Sequence, residues 1–429
     1  MDIVQLKNWL KIQDKVWIAS YIATLLLPWG LIFNRGIAEV SVATIGILFL
    51  ANSFYHKQWA WRADIIIKLG LIAWVWLIFI SVFAQNAKES IGVAVPWVRY
   101  ILLYAALKHF VLIRKEDVYF LGKMLVLILC FVIIDTLWQY IFNVSLTGHI
   151  RHSEGRLTGP MDNEKVGIFI AKILLPSVSI PIFFAALKNN YKCVISSIIL
   201  LILAIITILL SGERTAFAST MIAIFSTSFF LIIFEPKFRK FIFGSIIIIV
   251  VTGIFLLKTQ DWVQERTYQF YETITNYSAS EYGQLAKGGL LVGENNFLIG
   301  AGAKGFRKLC PDLLANGAVT TCNLHPHNIY IEWFAEAGII GFLLFISIAF
   351  YLFFTAAKNF IKSNGIERLL PTFVIACLIV NLFPFMPTQS IFSNWPAILL
   401  FYSVGVSMAT MNVLSMTNSV RKMPNIKTK

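Results

Sequence analysis

About twelve apolar runs, each near the length that crosses a lipid bilayer, follow one another along this chain of 429 residues. A helix needs roughly 20 apolar residues to span the hydrocarbon core. Charged residues make up 14% of the chain and stand in short blocks between the runs, and the mean hydropathy is +0.75. We therefore predict an all-α integral membrane protein, one polytopic domain over residues 1–429. Its predicted spans are 15–33, 37–55, 64–84, 91–111, 118–142, 165–187, 193–211, 215–234, 241–257, 331–356, 369–388 and 393–414.

Basic residues occupy every alternate short loop, beginning with the N-terminal segment and ending with the C-terminal tail. Cytoplasmic loops of membrane proteins are enriched in lysine and arginine. We therefore expect both termini in the cytoplasm, and this distribution also explains the net charge of +14 without nucleic acid as a partner. The first residues lack the apolar core and cleavage site of a signal peptide, so we expect the N-terminus to be retained. The basic residues concerned are Lys7, Lys11, Lys15, Lys57, Arg62, Lys108, Arg114, Lys115, Lys188, Lys192, Lys237, Arg239, Lys240, Lys358, Lys362, Arg368, Arg421, Lys422, Lys427 and Lys429.

The opposite side of the membrane holds the polar loops: 143–164, the SGERT turn at 211–215, the long segment 258–330 and the short end 384–390. Loops as long as 258–330 are usually functional in a compact protein. We predict that this segment holds short helices lying on the membrane face of the bundle.

Two cysteines, Cys310 and Cys322, lie in the long segment, on the side that is oxidising if the orientation is right. We predict a disulfide between them, which would close a loop just before residue 325. A metal site is the alternative, but two cysteines and a histidine without a fourth ligand nearby make a weak site.

The stretch HPHNIYIEWFAEAGIIG at 325–341 places two histidines and an asparagine before a helix that enters the membrane. One interpretation is a helix start, with Asn328 as N-cap and His325 and His327 as solvated loop residues. The other is a polar site at the membrane surface, since ionisable groups there are costly unless they serve a function.

Arg214 lies between two apolar runs at the same boundary, and arginine suits phosphate because its planar fork donates paired hydrogen bonds. Arg266, Arg307 and Lys287 add positive charge in the long segment. These cations predict a negatively charged substrate; attraction to anionic lipid headgroups is the alternative. Gly300 and Gly302 could let the backbone approach a phosphate or sugar closely.

The loop sequence RLTGPMDNEKVG favours a structural role, in which turn residues lead into a helix capped by Asp162 or Asn163. Arg156, Glu164 and Lys165 belong to the same loop, and we expect them to be structural as well.

Several of these motifs resemble the O-antigen ligase and polymerase superfamily, bacterial inner-membrane glycosyltransferases of the GT-C type. His327-Asn328, nine residues, then Gly338 and Gly341 are similar to its H-N-x9-G-x-x-G signature. SGERTAF and FLIGAGAKGFR are similar to its S-G-x-R turn and its P-L-x-G-V-G segment, and RLTGPMDNEKVG resembles its first outer loop. The resemblance covers the second half and part of the middle of the chain.

The resemblance implies a glycan donor on undecaprenyl diphosphate and an active site facing the periplasm. It implies that His327 acts on the acceptor hydroxyl and that Arg214 holds the diphosphate. The second arginine is open among Arg266, Arg307 and Lys287; we favour Arg266. Asn328, His325, Glu332, Gly300, Gly302 and Lys287 are expected to support the site.

A ligase would use lipid A-core as its acceptor, and a polymerase would use a second lipid-linked glycan. A sugar diphosphate already has a good leaving group, so we expect no metal, no cofactor and no nucleotide, and inversion at the anomeric carbon. A secondary transporter is the alternative of another class, because about twelve spans suit that group too. It is disfavoured because no repeat relates the halves and the ionisable residues collect at the outer surface.

Overall fold

The computed structural model describes residues 14–152 and 155–421, and within them the regular structure is helical. Lys7, Lys11, Lys422, Lys427 and Lys429, used above for orientation, lie outside the described residues. In chain order the α-helices are α1 Lys15–Phe33, α2 Arg35–Tyr55, α3 Ile65–Ser81, α4 Ala87–Val111 (with a 3-10 turn at Val95–Trp97 and a π turn at Leu107–Val111), α5 Lys115–Phe142, α6 Val166–Leu187, α7 Tyr191–Leu210, α8 Arg214–Phe234, α9 Arg239–Thr259, α10 Asp261–Thr275, α11 Glu281–Asn295, α12 Phe306–Ala315, α13 Ile329–Lys362, α14 Leu369–Leu382 and α15 Asn394–Arg421.

Eleven helices of the described chain are long and apolar enough to cross a membrane, and α3 is a shorter apolar helix at the position of the predicted span 64–84. The prediction of an all-α multi-pass membrane protein is confirmed. Helices α6 and α15 lie at the centre of the bundle with most of their residues buried, whereas α9 lies at its edge. The long segment holds the short helices α10, α11 and α12, as predicted.

Some predicted boundaries were wrong. The span predicted at 369–388 ends at Leu382, because the following segment contains Pro384 and Pro387, which cannot supply the backbone N–H groups of a helix. The span predicted at 331–356 starts at Ile329 and continues to Lys362, and the span predicted at 91–111 starts at Ala87.

The polar segments lie at the end of the bundle that we call the loop face: 143–165, 211–213, 260–328 and 383–393. Hydrogen bonds join them. The amide of Leu157 donates to the carbonyl of Ser211 at 3.3 Å, and the amide of Thr388 donates to the carbonyl of His327 at 2.7 Å. Four segments that are far apart in sequence therefore meet around one region of the surface.

Helix α13 is broken at Gly338, whose φ of 67° and ψ of −172° lie outside the helical region. The segment 297–304 fills the break. Its backbone N–H groups donate to carbonyls that the break leaves free, at 2.9 Å in both pairs: Ala301 to Ala335, and Gly302 to Glu336. The break fixes the short first part of α13, which starts beside His327, against the long segment.

Replacing Gly338 with alanine is expected to lower the free energy of unfolding by about 2 to 4 kcal/mol, since positive φ strains an L-residue and overpacking adds to it. The new Cβ would lie 2.3 Å from the carbonyl oxygen of Leu298. Thermal unfolding in detergent measures the change. Gly244→Ala is the control, because its Cβ would meet open space. Equal unfolding midpoints for the two variants would contradict the structural role of Gly338.

Candidate active site

Asn328 caps α13 and fixes the backbone next to His327. Its Oδ1 accepts hydrogen bonds from the amides of Tyr330 at 3.0 Å and Ile331 at 3.2 Å, and its Nδ2 donates to the carbonyl of Pro384 at 2.7 Å. His327 itself has a left-handed φ of 53°. A non-glycine residue held in that region is uncommon and is often found at functional sites. The cap and the loop at 383–389 together determine where the imidazole points.

Aromatic rings surround the imidazole of His327. The ring of His325 lies at a centroid distance of 4.1 Å, and the ring of Tyr282 meets it edge-on at 5.6 Å. Burial lowers the pKa of His327 below its usual 6.5, although the Glu281 carboxylate opposes this shift. The imidazole is therefore neutral at neutral pH and can accept a proton.

His325 is also neutral, because burial, with the nearby His327 and Arg307, lowers its pKa to about 3. Its Nε2 is buried and has no hydrogen-bond partner within the described structure. The ring covers one face of the His327 imidazole, so it restricts the orientation of that ring.

Arg214 is the first residue of α8 and belongs to a cluster of cations. It interacts electrostatically with Arg266, with Arg156 and with Tyr282. Tyr282 also contacts the ring of His327, so one tyrosine lies near both Arg214 and the histidine. Like charges are held close together only at a cost, which an anionic ligand would offset.

Glu213, the neighbour of Arg214, caps another helix. Its carboxylate accepts hydrogen bonds from the amides of Gly167 at 2.6 Å and Ile168 at 3.1 Å, at the start of α6. The prediction that Asp162 or Asn163 caps this helix was wrong: Lys165 occupies the cap position without a side-chain hydrogen bond. A carboxylate from a distant turn satisfies the free N–H groups instead.

Arg156 belongs to the arginine cluster, which was not predicted from the sequence. Its side chain packs beside Gly212 in the turn before Arg214 and forms an ion pair with Glu164. Its position depends on the pairing of loop 143–165 with the turn at 211–213. The sequence showed only an arginine in loop 143–164, and we expected Arg156 to have a structural role.

Arg307 lies near His325, among acidic residues. It forms an ion pair with Glu89 at 3.8 Å and interacts electrostatically with Glu332 and His325. The Glu332 carboxylate is buried and accepts a hydrogen bond from the amide of Ile391 at 3.0 Å, which ties α13 to the segment before α15. The charge of Arg307 is therefore opposed by carboxylates.

Gly300, Gly302 and Lys287, which were expected to support the site, have positions that can be stated one by one. A Cβ at Gly300 would lie 2.4 Å from the backbone of α13, and one at Gly302 would lie 2.4 Å from Ala84. Both glycines thus pack against protein backbone or side chains. Lys287 is exposed on α11.

The predicted disulfide between Cys310 and Cys322 is present, with the two Cα atoms 5.8 Å apart. It joins α12 to the segment that leads into His325. The paired sulfurs are not available as metal ligands, so the alternative of a metal site at these cysteines is removed.

A cavity of about 700 Å³ opens beside His327. Its polar lining comes from His327, Asn328, Tyr277, Tyr282 and Tyr330, and the rest is mainly apolar. The apolar wall continues along α11 and across both parts of α13, where it includes Leu290, Phe334 and Phe342. A ligand with a polar head and an apolar tail would match this distribution, with the head towards the arginines and the histidine.

Residues 199–346 match the sequence model of the family described as O-antigen ligase. The matched region contains Arg214, the short helices of the long segment, His327 and the break at Gly338, but not Arg156. No curated protein matches the chain. The protein is thus a multi-pass membrane protein that carries an O-antigen ligase family domain at residues 199–346.

Proposed function

We propose that the protein transfers a glycan from undecaprenyl diphosphate to a sugar hydroxyl of lipid A-core, at the periplasmic face of the bacterial inner membrane. The proposal rests mainly on Tyr282, which lines a largely apolar cavity with a neutral histidine, contacts that histidine and interacts electrostatically with Arg214 of the arginine cluster. The family match supports the reaction class.

In this proposal the arginines bind the donor. Arg214 and Arg266 hold the diphosphate, and Arg156 adds positive potential beside them despite its ion pair with Glu164. Guanidinium groups fixed before the reaction stabilise the negative charge that develops on the leaving diphosphate. The apolar wall along α11 and α13 would contact the first isoprene units of the carrier.

His327 is the proposed general base. Its imidazole takes the proton of the acceptor hydroxyl as the acceptor oxygen forms a bond to the anomeric carbon of the donor sugar. The bond from that carbon to the diphosphate oxygen breaks in the same step, so undecaprenyl diphosphate leaves and the configuration at carbon inverts. His325 and Asn328 orient the base. His325 contacts its ring, and Asn328, the next residue, caps α13 and so fixes the backbone beside it.

Complementation of a deletion strain tests the proposal and separates it from the polymerase alternative. Wild-type protein should restore full surface glycan, while His327→Ala and Arg214→Ala should not, at equal membrane levels. Loss of a ligase leaves long chains on the lipid carrier; loss of a polymerase gives cores that bear a single repeat. Normal glycan from both variants would reject the assigned site.

The pH dependence of transfer should follow the lowered pKa of His327. A base works only when it is unprotonated, so activity is lost as pH falls through its pKa, which lies below 6.5. We expect a rate that is nearly constant at mildly alkaline pH and a decline whose midpoint lies below 6.5. Glu281→Gln should move this decline further down, because the Glu281 carboxylate raises the pKa. A decline centred above pH 7 would contradict a buried histidine base.

A further inference from the structure

Lys172 lies inside the membrane-spanning helix α6, roughly 10 Å below its start at 1.5 Å per residue. It lines a small chamber formed by α6, α8, the end of α14 and the loop at 383–389. No carboxylate is among the described residues that line this chamber. A lysine at this depth is costly unless it faces a partner or a polar cavity that serves a function.

Three oxygen atoms on residues that line the chamber have no hydrogen-bond partner within the described chain: Asn381 Oδ1, Thr388 Oγ1 and Gln389 Oε1. Asn381 is 2% exposed, and its Nδ2 already donates to the carbonyl of Cys377 at 2.9 Å. Buried polar atoms are normally paired with protein or ordered water. The chamber volume of about 40 Å³ is enough for ordered water beside the lysine ammonium.

The chamber lies directly beneath the proposed active site. Met386 and Pro387 line both this chamber and the larger cavity that contains His327. Thr388, a chamber residue, donates its amide to the carbonyl of His327 at 2.7 Å. Thr215, another chamber residue, directly follows Arg214. The lysine therefore approaches the site from the membrane side, whereas the arginines approach it from the loop face.

We propose that Lys172 is a further binding residue for the diphosphate and adds a positive charge from the membrane side of the site. This inference rests on the proposed function. Thr215, which directly follows Arg214, lines the chamber together with Lys172, so the two cations can bind one diphosphate from different sides. The ammonium binds the phosphate nearer to the membrane, and the oxygens of Asn381, Thr388 and Gln389 hold it there, directly or through ordered water.

Binding of two lipids to full-length protein in nanodiscs tests this inference: undecaprenyl diphosphate and undecaprenyl monophosphate. Lys172→Met should weaken binding of the diphosphate at least 10-fold and of the monophosphate less. Lys172→Arg should restore most of the diphosphate binding. Lys123→Met is the matched control, because Lys123 also belongs to a spanning helix, α5, but is exposed and stacks on Tyr119. It should bind both lipids as the wild type does.

The thermal unfolding midpoint without lipid separates binding from a structural role. Removal of a buried charge that lacks a carboxylate partner should leave the midpoint of Lys172→Met equal or higher. Diphosphate binding less than 10-fold weaker than wild type, or weaker binding together with a lower midpoint, would overturn the role of Lys172. If Arg214→Ala also binds normally, the proposed function fails as well; if Arg214→Ala is impaired and Lys172→Met is not, only this inference fails.

Discussion

Replacing His327 with alanine is expected to lower the rate of glycan transfer by about 10²- to 10⁴-fold, the usual contribution of a positioned general base. The neutral imidazole sits between His325 and Tyr282 at the mouth of the cavity, and these are its ring contacts. Donor binding should change little, because the arginines remain. The measurement is the initial rate with saturating donor, together with donor affinity.

Two further variants separate the loss of a base from damage to the loop. His327→Asn keeps a residue that tolerates the left-handed φ of 53° but cannot act as the base. It should be as inactive as His327→Ala and fold better. His149→Ala removes another histidine of the loop face, one that lies 3.8 Å from Asp162, and should retain activity. Activity of His327→Asn within 10-fold of wild type would exclude His327 as the base.

Replacing Arg214 with alanine is expected to lower the transfer rate by about 10²- to 10³-fold, comparable to removal of one fixed donor that stabilises developing negative charge. Arg214 interacts with Arg266 and Arg156 in the cluster beside Tyr282, so its loss removes one cation from a group. Unlike the His327 variants, Arg214→Ala should also weaken donor binding.

The exact side chain at position 214 should matter as well as its charge. Arg214→Lys keeps the charge but loses the planar fork that binds two phosphate oxygens at once, so we expect partial activity. Arg35→Ala is the control: Arg35 is likewise the first residue of its helix, α2, and is exposed on the loop face. Transfer by Arg214→Ala at more than a tenth of the wild-type rate would contradict a role in charge stabilisation.

The features that could be predicted from the sequence are those set by residues close together in the chain. Twelve apolar segments follow from hydropathy, and the cap at Asn328 follows from a polar residue directly before an apolar helix. The disulfide followed from two cysteines in one outer segment. The proline-containing stretch after Leu382 was placed in a span because its apolar residues concealed the break.

Contacts between distant segments could not be predicted in this way. Arg156 joins Arg214 only because loop 143–165 pairs with the turn at 211–213. Glu213 caps a helix by accepting from the amide of Gly167, 46 residues earlier. Tyr282, which contacts His327 and interacts electrostatically with Arg214, belongs to a helix in which no sequence motif was found. In each case the partner is set by the packing of the bundle and not by spacing along the chain.

Transfer by the purified protein in nanodiscs, supplied with a glycan on undecaprenyl diphosphate and with lipid A-core, tests the proposed reaction directly. We expect glycosylated lipid A-core and free undecaprenyl diphosphate in equal amounts, with both products lost in His327→Asn. Product formed at the wild-type rate by His327→Asn, or no transfer by the folded wild-type protein to lipid A-core, would contradict it.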